Sequence, residues 1–179
     1  GSHLGPLLFI IYINDIATCF KMCKFLIYAD DLKIYHPIRD VQDCLDLQDD
    51  LDRLSDYCNS NSLFLNINKC HCITFSKKKN LIVHNYSINN EALTKVTEIK
   101  DLGVILDSHW SFRSHFDKII KESNKMLWFI YRTCKEFKDP LCLLTLYNSF
   151  INSKLSFASV VWCPQYNLNI KRIHEVKNI

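Results

Sequence analysis

Between Lys24 and Tyr35, two short runs of β-branched, aromatic and aliphatic residues flank an adjacent pair of carboxylates, Asp30 and Asp31. Only a tight turn fits between the runs. Apolar runs this short, bounded by a polar pair, predict a β-hairpin. Two acids at its tip concentrate negative charge where a packed ribbon meets solvent. Carboxylate oxygens are the ligands that replace water around hard divalent cations, so this tip is the candidate chemical centre of the chain.

The rest of the sequence limits what can surround it. With 179 residues, 48% of them apolar and 12% aromatic, the chain is long enough to build a real core. Only 3 Gly and 4 Pro exclude collagenous and low-complexity classes. No apolar run approaches the roughly 20 residues that span a bilayer. The first residues lack the basic region and cleavage site of a signal peptide, and the missing initiator Met points to a fragment or a processed or engineered start. Nine cysteines, odd in number and mostly embedded in apolar patterns, read as free thiols of a reducing compartment. Cys70-His71-Cys72 with His84 resembles a metal site, but no second ligand pair follows at zinc-finger spacing, and we expect no zinc there. Charge is unevenly spread: residues 1–61 carry five Lys/Arg against ten Asp/Glu, and residues 62–179 carry seventeen against nine. An acidic half beside a basic half suits a protein that holds a polyanion near a cation, although solvated surface gives the same count.

Periodicity supplies the frame. Leu4, Leu7, Leu8, Ile11, Tyr12 and Ile16 predict an apolar helical stripe behind Pro6. Residues 40–61 predict a long helix capped by Asp40, with Val41, Cys44, Leu45, Gln48, Leu51, Leu54 and Cys58 inward. Asp46, Asp49, Asp50, Asp52 and Asp56 are expected on its solvated outer face. Strands are predicted over Leu63 to Phe75, Leu81–Val83, Tyr86–Ile88, Thr94–Ile99 and Lys100 to Leu106, with Asn89-Asn90 as a turn. Beyond residue 110 the pattern becomes helical, with Phe112, Phe116, Ile119, Ile120, Ser123, Leu127 and Ile130 on one stripe. Lys118, Lys121 and Lys125 form a basic stripe on the same helix. Asp139-Pro140 starts another helix, and segments around Ser156–Trp162 and Asn169–Ile179 complete the chain. Trp128 and Trp162 are expected in the core. A boundary is placed near residues 108–111.

Several segments, in this order, resemble a reverse transcriptase of the non-LTR retrotransposon kind, most like the jockey-type insect elements. Gly1 to Phe9, continuing to Ile13-Asn14-Asp15, is similar to one family segment, and Tyr28-Ala29-Asp30-Asp31 matches the catalytic hairpin. Leu65 to Cys70 matches the Leu-Asn-x-x-Lys-Cys segment, and Lys100 to Asp107 the strand that grips the primer. Tyr147-x-Ser149-x-Ile151 followed by Trp162-x-Pro164 resembles the thumb pattern. Four residues of hairpin alone are weak, whereas five motifs in order are specific.

The resemblance implies an α+β fold: a partial polymerase palm over residues 1–109, an antiparallel sheet with packed helices, followed by an all-α thumb over 110–179. It implies RNA-directed DNA synthesis from an RNA template, a DNA primer and deoxynucleotides, with Mg2+ in a two-metal site. Asp30 and Asp31 carry over as metal-holding catalytic carboxylates and Lys69 as the group facing departing pyrophosphate. Gly1, Ser2 and Tyr28 would lie against template and nucleotide. Leu102, Gly103 and Val104 would grip the primer, and Lys118, Lys121 and Lys125 would follow duplex phosphates. The family's further carboxylate falls ahead of Gly1 and Asp15 does not replace it, so the isolated chain is expected not to polymerise. The alternative is a non-catalytic remnant that at most binds nucleic acid. The family and the thiols imply an intracellular place of action, nuclear or cytoplasmic, with no membrane.

Overall fold

The computed structural model describes residues 3–78, 80–137, 139–162 and 172–173. It divides into two compact units, residues 1–72 with 77–96 and residues 73–76 with 97–179. The class is α+β.

The first unit is arranged around one long helix. After α1 (Leu4–Tyr12) and a 3-10 turn (Asn14–Cys19) come β1 (Lys24–Tyr28), β2 (Asp31–Tyr35) and α2 (Val41–Ser60). The start of α2 is a full capping box: Asp40 accepts from the Asp43 amide at 3.0 Å, and the Asp43 carboxylate accepts from the Asp40 amide at 3.3 Å. Its buried face serves two small cores. Leu54 and Cys58 pack with Ile16 and Cys19, while Cys44 and Leu51 pack with Tyr86 and Ile88. Gln48 clamps the second core's strand, donating to the Ser87 carbonyl at 2.9 Å and accepting from its amide at 3.0 Å. Beyond α2 the strands are short: β3 (His71–Cys72), β4 (Ser87–Ile88), β5 (Glu91–Ala92) and β6 (Thr94–Lys95). The β4–β5 turn uses Asn89 and Asn90, both at positive φ, as a two-residue I′ hairpin requires.

In the second unit β7 (Glu98–Asp101) and β8 (Val104–Asp107) form an antiparallel hairpin, and the helices α3 (Arg113–Thr133), α4 (Pro140–Tyr147), α5 (Ser153–Ser156) and α6 (Ser159–Trp162) follow. A π-helical segment, Asn148–Asn152, links α4 to α5. Pro140 occupies the first turn of α4, and Asp139 accepts from the Leu141 amide at 3.0 Å. Val104, Phe116, Ile119, Ile120, Ile151, Leu155 and Trp162 form the core. Asp107 ends β8 and turns the chain into α3. Its carboxylate is buried and accepts from the amides of His109, Ser111 and Phe112 and from the Ser111 hydroxyl.

Several expectations change. Among the described residues the strands form four separate pairs, three antiparallel and one, β3 with β6, parallel; they do not form one antiparallel sheet. Leu63 to Phe75 contains a 3-10 turn and only two strand residues, and Leu81–Val83 is irregular. The stripe on α1 is exposed at Leu4, Leu7, Leu8, Ile11 and Tyr12, because only Ile16, in the following turn, reaches the core. Val41 and Leu45 are exposed as well. Trp162 is buried as expected, but Trp128 is 65% exposed and meets Tyr131 edge-on. The tail at Asn169–Ile179 lies, apart from two residues, outside the described residues. Among the described residues no helix is long and apolar enough to cross a membrane.

Candidate functional site

Strand register places the acidic tip. Tyr28 pairs with Asp31, Ile27 with Leu32, Leu26 with Lys33 and Phe25 with Ile34, which leaves Ala29 and Asp30 as the two turn residues. Side chains alternate along a strand, so Phe25, Ile27, Leu32 and Ile34 share one face and Leu26, Tyr28, Asp31 and Lys33 the other. The first face carries the packing: Leu32 and Ile34 join the cores of α2, and Phe25 stacks on Phe20 at 4.6 Å. The second presents Tyr28 and Asp31 to solvent, with Asp30 exposed in the turn beside them. Ala29 holds φ +54°, the sign that the first position of a II′ turn demands and glycine usually fills. A non-glycine residue kept there is local strain next to the two carboxylates.

The hairpin is fixed at its root by a carboxylate that periodicity had assigned to solvent. Asp50, on α2, is fully buried. It accepts from the amides of Lys21, Met22 and Cys23 at 3.1, 3.0 and 2.7 Å and pairs with the Arg53 guanidinium. Arg53 also donates to the Cys19 carbonyl at 3.0 Å. Burial pushes the Asp50 pKa up, but the amides of Lys21 and Cys23, Arg53 and the Met22 amide outweigh it and hold the carboxyl well below the usual range. Asp50 therefore locks the three residues that lead into β1. The signal was in the spacing: Asp50 lies three residues after Leu47 and four before Leu54, on the apolar face of α2.

The remaining candidates distribute as follows. Asp15 accepts from the Tyr57 hydroxyl at 2.5 Å and so is engaged locally. Lys69 is exposed at the end of a 3-10 turn, Ile67–Lys69, in the first unit. Leu102 and Gly103 are the turn between β7 and β8, with φ +44° and +94°; Leu102 is exposed and Val104 is buried in the core. A side chain at Gly103 would meet the Phe157 ring at 2.9 Å. Lys118, Lys121 and Lys125 lie on one face of α3, the last two exposed and the first half-buried. Lys118 and Gly103 line one open hollow with His115, Lys154 and Glu122, and the last two are an ion pair at 3.5 Å. His115 accepts from the Ile105 amide at 3.3 Å on Nδ1 and packs against Trp162. Burial, then Lys118, pushes its pKa down, with Glu122 opposing. Gly1 and Ser2 lie outside the described residues. All eight cysteines among the described residues are free, and Cys70, His71, Cys72 and His84 do not gather into a metal-sized group.

Two carboxylates with hard oxygen donors, one in the strained turn and one at the first strand position after it, both open to solvent, suit a divalent cation. Comparison with known proteins gives the family. The reverse transcriptase (RNA-dependent DNA polymerase) family profile matches residues 1–106. The chain is 25% identical, over 99% of its length and 20% of the relative's, to a probable RNA-directed DNA polymerase from transposon X-element of Drosophila melanogaster. It is 32% identical, over 66% of its length and 14% of the relative's, to an RNA-directed DNA polymerase from mobile element jockey of Drosophila funebris. The chain thus spans a fifth or less of these curated relatives. No solved structure matches.

Proposed function

The chain belongs to the reverse transcriptase family of non-LTR retrotransposons, and on that premise we propose that it supplies the catalytic hairpin and the primer-holding part of an RNA-directed DNA polymerase. The observation that carries this reading is the hairpin register, which leaves Asp30 and Asp31 together, exposed and rigidly rooted at the tip. Residues 1–109 correspond in this reading to part of a palm and residues 110–179 to a thumb.

Asp30 and Asp31 hold divalent metal, magnesium in this reading. When bound, such ions lower the pKa of a primer 3′-hydroxyl and neutralise charge on the leaving pyrophosphate. The protein's own groups position the reactants. Tyr28 shares a face with Asp31 and supports the primer end, with Gly1 and Ser2 against template and nucleotide. Lys69 faces the departing pyrophosphate as a cation and proton donor. Leu102 stands at the turn tip as the gripping contact, with Gly103 allowing the turn and Val104 rooting it. Lys118, Lys121 and Lys125 follow duplex phosphates without reading sequence. The free cysteines and the family support action inside the cell, in nucleus or cytoplasm.

The test is paired binding on the 179-residue chain. Mn2+ followed by electron paramagnetic resonance should bind the chain, and Asp30→Asn with Asp31→Asn should remove one bound ion. An RNA–DNA primer–template should bind with an affinity that falls with salt, and the log–log slope should drop by about one for each of Lys121 and Lys125 replaced by Gln. Duplex binding with no metal bound at the tip would favour the non-catalytic remnant. Absence of both would overturn both readings.

A further inference from the structure

We propose that His36, Asp43 and Asp46 form a binding site for a divalent transition-metal ion at the start of α2, separate from the hairpin tip and independent of the polymerase reading. His36 directly follows β2, and Asp43 and Asp46 lie three residues apart on one face of α2. One ligand atom from each of the three lies within 4.8 Å of the other two. The His36 side chain is only 10% exposed, and its Nε2 stands 3.5 Å from Asp43 Oδ1. That nitrogen is buried without a hydrogen-bond partner.

Distance separates a metal site from a plain ion pair here. A charged N–H···O contact closes to about 2.7–2.9 Å, and the imidazole and carboxylate stop short of it. Two ligands on one tetrahedral ion, with bonds of about 2.0–2.2 Å, stand about 3.4 Å apart, close to the His36–Asp43 spacing. The carboxylates are also pre-set. Asp43 Oδ2 accepts from the amides of Arg39 at 2.6 Å and Asp40 at 3.3 Å, which turns Oδ1 to the imidazole. Asp46 Oδ1 accepts from Gln42 Nε2 at 3.0 Å. Such outer hydrogen bonds orient metal ligands. The positive end of the α2 dipole opposes a cation, but Asp40, Asp43 and Asp46 set three carboxylates against it.

One imidazole nitrogen with two carboxylate oxygens selects Zn2+, Co2+ or Mn2+ over Mg2+ and Ca2+. Three protein ligands leave a position for water. An ion held there joins the end of β2 to the first turns of α2, and so braces the strand that carries Asp31.

The test titrates the 179-residue chain, kept reduced, with Zn2+ by calorimetry and with Co2+ by visible absorption. One Zn2+ per chain is expected. His36→Gln and Asp46→Asn should each weaken it by at least about tenfold. Cys70→Ser with Cys72→Ser, and Asp30→Asn with Asp31→Asn, should leave it unchanged. Zn2+ should also raise the melting temperature of the parent chain and not of Asp46→Asn, a solvent-accessible replacement that decides the matter alone if His36→Gln does not fold. The proposal fails if no ion binds, if either folded variant binds as tightly as the parent, or if the ion is lost with the cysteines.

Discussion

Asp50 and the Asp30–Asp31 pair are the same chemical group within one unit, yet they are spent in opposite ways. Asp50 is out of water, with three backbone amides and a guanidinium around it. Asp30 and Asp31 stand in water on a turn that bends the backbone to present them. The difference separates a carboxylate that roots the hairpin from carboxylates left in water, which the proposed reading gives to metal. The second unit repeats the first kind at Asp107, which closes three amides at the entry to α3.

The largest effect should come from breaking the structural member. Asp50→Ala leaves three amides and Arg53 without their acceptor, a change that costs about 3–5 kcal/mol in comparable buried pairs. Urea unfolding followed by circular dichroism measures it. Asp30→Asn and Asp31→Asn should stay within about 0.5 kcal/mol of the parent. If Asp50→Ala cost no more than they do, the contrast between the two kinds of acid would be wrong.

Acid should separate the two units. Burial and Lys118 hold the His115 pKa below its ordinary 6.5, so the unfolded imidazole takes a proton that the folded one refuses. Stability from His115 is therefore complete above about pH 6.5 and is lost as pH falls. Asp50 and Asp107 are depressed carboxylates: their contribution is complete above the ordinary value of 3.8 and is lost only below it. The Trp162 indole N–H, which donates to the Phe157 carbonyl at 2.7 Å and packs on His115, is a local reporter. Hydrogen exchange should show it losing protection as pH falls below about 6.5, while the amides of Lys21, Met22 and Cys23 hold until below about pH 4. His115→Gln should abolish the first step alone.

Legibility in the sequence followed the same division. The hairpin was readable because two acids interrupt alternating apolar runs, and α2 because Asp40 caps a long apolar period. Pro140 and Asn89-Asn90 declared themselves by backbone constraint. Asp50 was not readable from residue type, since an acid in an acid-rich helix resembles solvated surface; only its spacing to Leu47 and Leu54 betrayed it. His36 escaped because its partners come from the next element, a juxtaposition that the fold creates. The two-residue strands after α2 are set by single tertiary pairings, such as Gln48 on Ser87, and leave almost no periodicity. Trp128 follows a helical apolar spacing, yet its side of α3 meets water.

The second unit's turn offers a smaller effect. Gly103→Ala adds a methyl group against the Phe157 ring at a φ of +94°. Phe157 is itself exposed and its ring can swing aside, so the backbone term dominates, about 1–2 kcal/mol. Thermal unfolding checks this, and Phe157→Ala in the same chain should not recover it. A full recovery would mean that the ring contact, and not the turn, sets the need for glycine.

The smallest effect tests whether strain at the hairpin tip serves the site. Ala29 sits at φ +54°, where glycine is at ease. Ala29→Gly relieves about 1–2 kcal/mol of folded-state cost and returns part of it through a freer unfolded chain, a net gain of about 0.5–1 kcal/mol. A stabilised chain that binds Mn2+ more weakly at Asp30 and Asp31 would show that the alanine trades stability for a fixed presentation of the two carboxylates. A stabilised chain with unchanged Mn2+ affinity would show that register alone positions them, and the strain would then have no part in the site.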